Sequence, residues 1–194
     1  MTGTAPAEAA QQVHRRYKSD GINAAHRSTP LAAFSFIPDE QLPEIAKVEA
    51  SITHLSELSI DTSIAVNVIC RNLIHGKTLD ESLQVALSSV RSSEIKQVLS
   101  FQYEGKTTAE AQLDRDGFAP RVLKAALYFL KTNNNFRDAL EKSLLFAGSA
   151  NYCPVLVGSI GGALYGDSSV TPDTLRHVNP KLAQRLSAVA LQMK

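Results

Sequence analysis

Residues 64–90, IAVNVICRNLIHGKTLDESLQVALSSV, decide the fold class. Ile64, Ala65, Val66, Val68, Ile69, Leu73 and Ile74 follow helical rather than alternating spacing, and Gly76 stands where a helix ends in the left-handed conformation. Two residues later, Thr78-Leu79-Asp80-Glu81 has capping-box spacing, in which hydroxyl and carboxylate reciprocally satisfy backbone N–H groups left open at a helix start. Leu79, Leu83, Ala86 and Val90 then mark the buried stripe of a helix predicted over 79–90. The first helix is apolar on most of its surface, which places it at the centre of a core.

The same punctuation continues outward. Pro43 suits a first helical turn, and Ile45, Val48, Ile52 and Leu55 recur on one face, with Thr53 and His54 beside its end. Ser92 or Ser93 can cap a short helix through Ile95, Val98, Leu99 and Phe101; residues 105–117 then read as a polar surface connection. Pro120 starts a helix that the Asn133-Asn134-Asn135 run ends, and residues 136–146 resume with Ala139, Leu144 and Leu145. Gly148 to Tyr152 is a small-residue loop before a helix in which Gly158 and Gly162 predict close backbone approach on one face. Between Gly21 and Pro38 the periodicity fails, which predicts an ordered loop pressed on the core. The expected fold is all-α, a compact orthogonal helical domain over residues 21–194, with residues 1–20 as an N-terminal extension or tail.

Composition narrows the function classes. The 194 residues carry 20 Lys plus Arg against 19 Asp plus Glu, a net charge of +1, so no global field exists to hold nucleic acid. Cys70 and Cys153 lie far apart in apolar stretches, as buried reduced thiols do, which points to an intracellular protein, cytoplasmic or organellar, the mitochondrial matrix included. The longest nearly apolar run, Cys153 to Tyr165, is too short to span a bilayer. His14, His26, His54, His75 and His177 are scattered, and no HExxH, paired CxxC, GxSxG, GxxxxGK[ST] or GxGxxG pattern occurs. Two loops remain. Gly21-Ile22-Asn23-Ala24-Ala25-His26-Arg27 can offer N–H groups and a guanidinium to a phosphate, or Arg27 can pair with an internal carboxylate. Ser149 and Asn151 can cap the helix that follows them, and His54 can be a hydrogen-bonding core histidine or a ligand contact.

At these loops the chain resembles the ADP-ribosylglycohydrolase family, which also includes jellyfish crystallins and catalytically altered relatives. Gly21 to Arg27 followed by Pro30-Leu31 is similar to the family's GNGAAMR…P segment, Thr53-His54 to its TH motif and Gly117-Phe118 to its GY segment. Gly148 to Cys153, continuing to Gly158, Gly162, Ala163, Tyr165 and Gly166, is similar to GDADTT…G…GA.YG. The resemblance runs from about Gly21 to the C-terminus in matching order. It implies the C-terminal part of the domain only, the segment bearing the early TDDT-type motif being expected to be missing.

In the family, the resemblance implies two magnesium ions held by carboxylate and hydroxyl oxygens of that early motif and of the late DxDT motif. Such hard cations need anionic oxygen ligands. Here the two late Asp positions are Ser149 and Asn151, and the Thr is Tyr152, so no magnesium site and no cofactor are expected. In the phosphate-binding segment Ile22, Asn23 and His26 replace Asn, Gly and Met. Asn23, Arg27, His54, Phe118, Ser149, Asn151 and Tyr152 are therefore the vestigial ligand-binding candidates, with no catalytic residue assigned. The first expectation is a pseudoenzyme acting as a structural or interaction subunit in a homo- or hetero-oligomeric assembly. The alternatives are a magnesium-independent module for ADP-ribose or another nucleotide, and a divergent hydrolase of ADP-ribosyl or related N- or O-glycosidic bonds using His26, His54 or Cys153.

Overall fold

Helix α4, Glu57–Ile74, is the axis on which the other elements pack. Before it come α1 (Pro6–Tyr17), α2 (Asn23–Ser28), a 3-10 turn (Thr29–Ala33) and α3 (Leu42–Ser51). After it come α5 (Leu79–Ser89), α6 (Ser93–Ser100), α7 (Ala119–Thr132), α8 (Phe136–Ala147), α9 (Tyr152–Tyr165), a second 3-10 turn (Asp167–Ser169) and α10 (Pro180–Gln192). The computed structural model describes residues 3–17, 19–102, 112–148, 150, 152–171, 175 and 178–193. Most of the predicted 105–117 connection lies outside them. Among the described residues, the β pairing is one isolated antiparallel bridge, between Gly21 and Phe118.

Local signals predict most boundaries. Gly76 has φ of 83° and ends α4, and Thr78 with Glu81 forms the complete capping box of α5. Ser92 caps α6, Pro43 lies in the first turn of α3, and Asn135 caps α8. Elsewhere tertiary packing overrides the pattern. The segment predicted as a loop over 21–38 is largely helical, because Ala24, Ala25 and Ala32 let short helices lie flat on the core. On α3 the small residues Ala46 and Ala50 face inward and permit close approach to α4, which leaves Val48 and Ile52 exposed. Leu144 and Leu145 are likewise outside, while Phe136, Ser143 and Phe146 are buried. The close approach on α9 is at Gly161, where a Cβ would lie 3.0 Å from the Phe136 ring. At Gly158 and Gly162 the same atom would meet open space.

The core of α4 is not wholly apolar. Ser59, Ser63, Asn67 and Arg71, spaced by four, form a buried polar ridge facing the 19–39 segment. The Ser59 hydroxyl donates to the Gly21 carbonyl at 2.9 Å, and Ser63 shares a hydrogen bond with Ser28 at 2.8 Å. Asn67 Nδ2 donates to Ser28 Oγ and to the Ser63 carbonyl, both at 2.9 Å. The Arg71 guanidinium donates to the carbonyls of Ala32 (2.7 Å), Ile37 (2.8 Å), Phe34 (2.9 Å) and Leu31 (3.3 Å) and to Asp39 (2.6 Å). One side chain thus supplies the donors for a turn-rich stretch that has few internal hydrogen bonds of its own.

Arg71→Met keeps the apolar stem but takes the donor from the Ala32 and Ile37 carbonyls and the charge partner from Asp39, and is expected to lower unfolding free energy by about 3 kcal/mol. Lys47→Ala, which breaks an exposed pair with Glu44 on α3, should change it by less than about 1 kcal/mol. Urea denaturation of both variants checks the contrast.

Candidate functional site

Backbone pairing joins the loop that begins at Gly21 to the Gly117-Phe118 turn. Ile22 N–H donates to the Gly117 carbonyl at 3.1 Å, and Ala119 N–H donates to the Asp20 carbonyl at 2.9 Å. Ile22 is fully in the core, where its carbonyl accepts from Ala25 N–H and His26 N–H. Its apolar side chain therefore anchors the start of α2, a role a polar residue would not fill. Gly21 lies beside His54, whose Nε2 would be in van der Waals contact, at 3.4 Å, with a Cβ there.

Arg27 is held by α3 and its end. Its Nε donates to Glu49 Oε1 at 2.6 Å, Nη2 to the Glu49 carbonyl at 3.0 Å and Nη1 to Thr53 Oγ1 at 2.5 Å. Thr53 Oγ1 also lies 2.8 Å from His54 Nδ1. Since Thr53 accepts from Arg27, its own hydroxyl proton is free to go to His54 Nδ1, which fits a neutral imidazole protonated at Nε2. In the structure Arg27 pairs with the partly exposed Glu49 carboxylate.

Tyr152 occupies the opposite wall. Its ring lies against Gly117, where a Cβ would sit 3.2 Å from Tyr152 Cζ, and it stacks on His26 with centroids 6.3 Å apart and an interplanar angle of 19°. His26 Nε2–H donates to the Tyr152 carbonyl at 3.0 Å. Phe118 is part of the bridge, but its ring is engaged by the Arg121 guanidinium, 5.3 Å from the centroid, and Arg121 is in turn paired with Asp114 and Asp116. Asn23 is exposed at the start of α2. Ser149 and Asn151 lie outside the described residues. The structure therefore gathers Arg27 with His54, and Tyr152 with the Gly117-Phe118 turn. Glu49, the carboxylate that takes Arg27, is not singled out by the sequence reading, although its spacing of four from Thr53 puts both on one side of α3 and its end.

The chain matches the ADP-ribosylglycohydrolase family model over residues 2–193. It belongs to the ADP-ribosylglycohydrolase family. A curated relative, ADP-ribosylarginine hydrolase Tri1 of Pseudomonas putida (strain GB-1), is 27% identical over 143 residues, which are 71% of this chain and 38% of the relative. The chain thus spans well under half the length of that protein. A solved structure described as an ADP-ribosylglycohydrolase-related protein complex superposes with a TM-score of 0.76 at 18% identity, over 98% of this chain and 68% of that one, so the fold is shared. These findings correct one expectation. The likeness is not confined to a C-terminal part of the fold beginning near Gly21, because both matches take in the earlier residues as well. The motifs that carry the resemblance all follow Gly21, whereas helix α1, which buries Ala10, has no motif to announce it.

Magnesium does not fit the donor set present. Among the described residues no group of three or more His, Cys, Asp or Glu side chains is placed to hold a metal ion. The loop positions that resemble the late metal motif carry Ser149, Asn151 and the Tyr152 ring, which leaves no anionic oxygen there. Thiol chemistry is equally unsupported, since burial pushes both Cys70 and Cys153 up to about 12. Among the described residues no helix is long and apolar enough to cross a membrane.

Burial holds both His26 and His54 below the ordinary value of 6.5; for His54 the Arg27 charge acts in the same direction and Glu49 opposes it. As pH falls through 6.5, the unfolded chain takes up these protons before the folded one does, so folding stability falls with pH in that window. The urea midpoint should be steady above about pH 7.5 and decline as the pH falls below about 6.5. His26→Gln combined with His54→Gln should lessen the decline, and an equal slope in that variant would contradict the assignment.

Proposed function

We propose that this chain is a non-catalytic member of its family that acts as a structural or interaction subunit. The observation that carries this reading is the seating of the Tyr152 ring on Gly117, at the position where the family pattern has a small hydroxyl residue. A ring there fills space between the paired loops and offers no ligand to a hard cation. The commitment of Arg27 to Glu49 and Thr53 adds to it, because a phosphate would have to displace an ion pair already made at short range.

An interaction role is supported by α10. None of its residues is buried, and Leu182, Leu186 and Val189 repeat at helical spacing on one exposed face, 50%, 60% and 53% accessible. A helix with such a stripe gains little on its own and is stabilised by packing against something further. The similar solved structure is described as a protein complex, and association of this chain with a protein partner or with itself is proposed on the same footing. The curated relative is, by its name, a hydrolase of ADP-ribosylarginine; for this chain that activity is the competing proposal.

Calorimetric titration of the purified chain with ADP-ribose, with and without magnesium, separates the readings. The proposed function predicts no binding heat in either case from a sample whose fold is confirmed by circular dichroism. Binding that tightens with magnesium would overturn it. Magnesium-independent binding that is lost in Arg27→Ala would replace it with a ligand-binding module.

A further inference from the structure

Away from the paired loops, a cavity of about 460 Å³ opens between α3, the first half of α4 and the end of α5. Pro43, Leu55, Ile60 and Ile64 give it an apolar wall. Its charges do not cancel. Lys47 is already held by both Glu44 oxygens, at 2.9 and 3.0 Å, which leaves Glu40, Glu57 and Asp61 against the single cation Arg91.

Asp61 is the unusual member, because it is a carboxylate only 3% exposed that nevertheless lines the cavity. Its Oδ2 accepts from the backbone N–H groups of Arg91 (2.7 Å) and Ser92 (2.5 Å), which ties the end of α5 to α4. Among the described residues its Oδ1 accepts no hydrogen bond. A carboxylate oxygen that takes no donor from the protein and is open to a cavity with an apolar wall can accept from a donor that carries positive charge. A metal ion is a poor occupant, since no group of His, Cys, Asp or Glu among the described residues is placed to hold one. Hydrocarbon along one wall and a buried anion together suit an organic cation with a short aliphatic stem.

We propose that this cavity binds a primary aliphatic ammonium group, with its stem along Leu55, Ile60 and Ile64, its charge at Asp61 Oδ1, and Glu40 and Glu57 at the mouth. A lysine side chain of another protein and a free small amine share this chemistry. The site uses none of the residues that join the Gly21 and Phe118 loops, so it stands whether or not the chain is catalytic.

The test is a titration of the ¹⁵N-labelled chain with n-butylammonium chloride at constant ionic strength, following the Arg91 and Ser92 amides that donate to Asp61. Both amide signals are expected to move saturably, while 1-butanol, which has the stem without the charge, leaves them in place. Asp61→Asn keeps an oxygen for the two N–H groups and removes the charge; it should weaken binding about tenfold or more, the factor that loss of one charge-assisted hydrogen bond implies. Glu57→Gln, on the surface, should weaken it by a smaller factor and serves as the test if the Asn variant does not fold. In a parallel arm, N-acetyl-lysine methylamide that saturates at lower concentration than butylammonium identifies a protein-borne lysine; saturation by butylammonium alone identifies a small amine. Amides that do not move, that move equally with butanol, or that respond identically in both charge-removal variants would overturn the proposal.

Discussion

The structure depends on a polar ridge inside an apolar helix. Ser59, Ser63, Asn67 and Arg71 point from successive turns of α4 toward the segment between Ser19 and Asp39, and each hydrogen-bonds a hydroxyl or carbonyl of that segment. A short helix, a 3-10 turn and a turn-rich stretch have few backbone hydrogen bonds of their own, so their placement has to be supplied from outside. Arg71 does most of this, because a planar guanidinium can satisfy several carbonyls at once where a lysine would offer a single point of charge.

From that ridge the geometry of the loops follows. Ser59 fixes the Gly21 carbonyl, the Gly21–Phe118 bridge then joins the start of α2 to the start of α7, and Ile22 closes the contact from inside the core. On one side of the bridge Arg27 is tied to α3; on the other, Tyr152 and His26 stack over Gly117. The space between the loops is thus taken up by the protein's own side chains. The proposed loss of catalysis is the chemical counterpart of this arrangement, since the sequence carries Ser149, Asn151 and Tyr152 where the family pattern has two carboxylates and a small hydroxyl.

What was legible in the sequence was what local chemistry decides. Gly76, the Thr78–Glu81 box, Pro43, Ser92 and Asn135 act within a turn or two, and the elements begin or end where they say. The order of the family motifs was equally legible, because Gly21, Arg27, His54 and Gly117 keep their places along the chain. Choices among faces were not. Ala46 and Ala50 win the inward face of α3 over Val48 and Ile52 because close approach to α4 is worth more there than bulk, and a hydrophobic count cannot express that. Ser59, Ser63, Asn67 and Arg71 have a four-residue spacing, but nothing local says which segment such polar residues hold. The family likeness extends further than the motifs show for a related reason: residues before Gly21 contribute to the fold through packing rather than through a motif.

The central claim is that the Tyr152 ring is seated on Gly117 and stays there. Nuclear Overhauser contacts between the Tyr152 ring protons and the Gly117 α-protons test it most directly, recorded alone and then with ADP-ribose and magnesium in excess. Strong contacts in both spectra are the predicted result. Their absence in the free protein, or their loss when ADP-ribose is added, would show that the ring gives way to a ligand and would contradict the account.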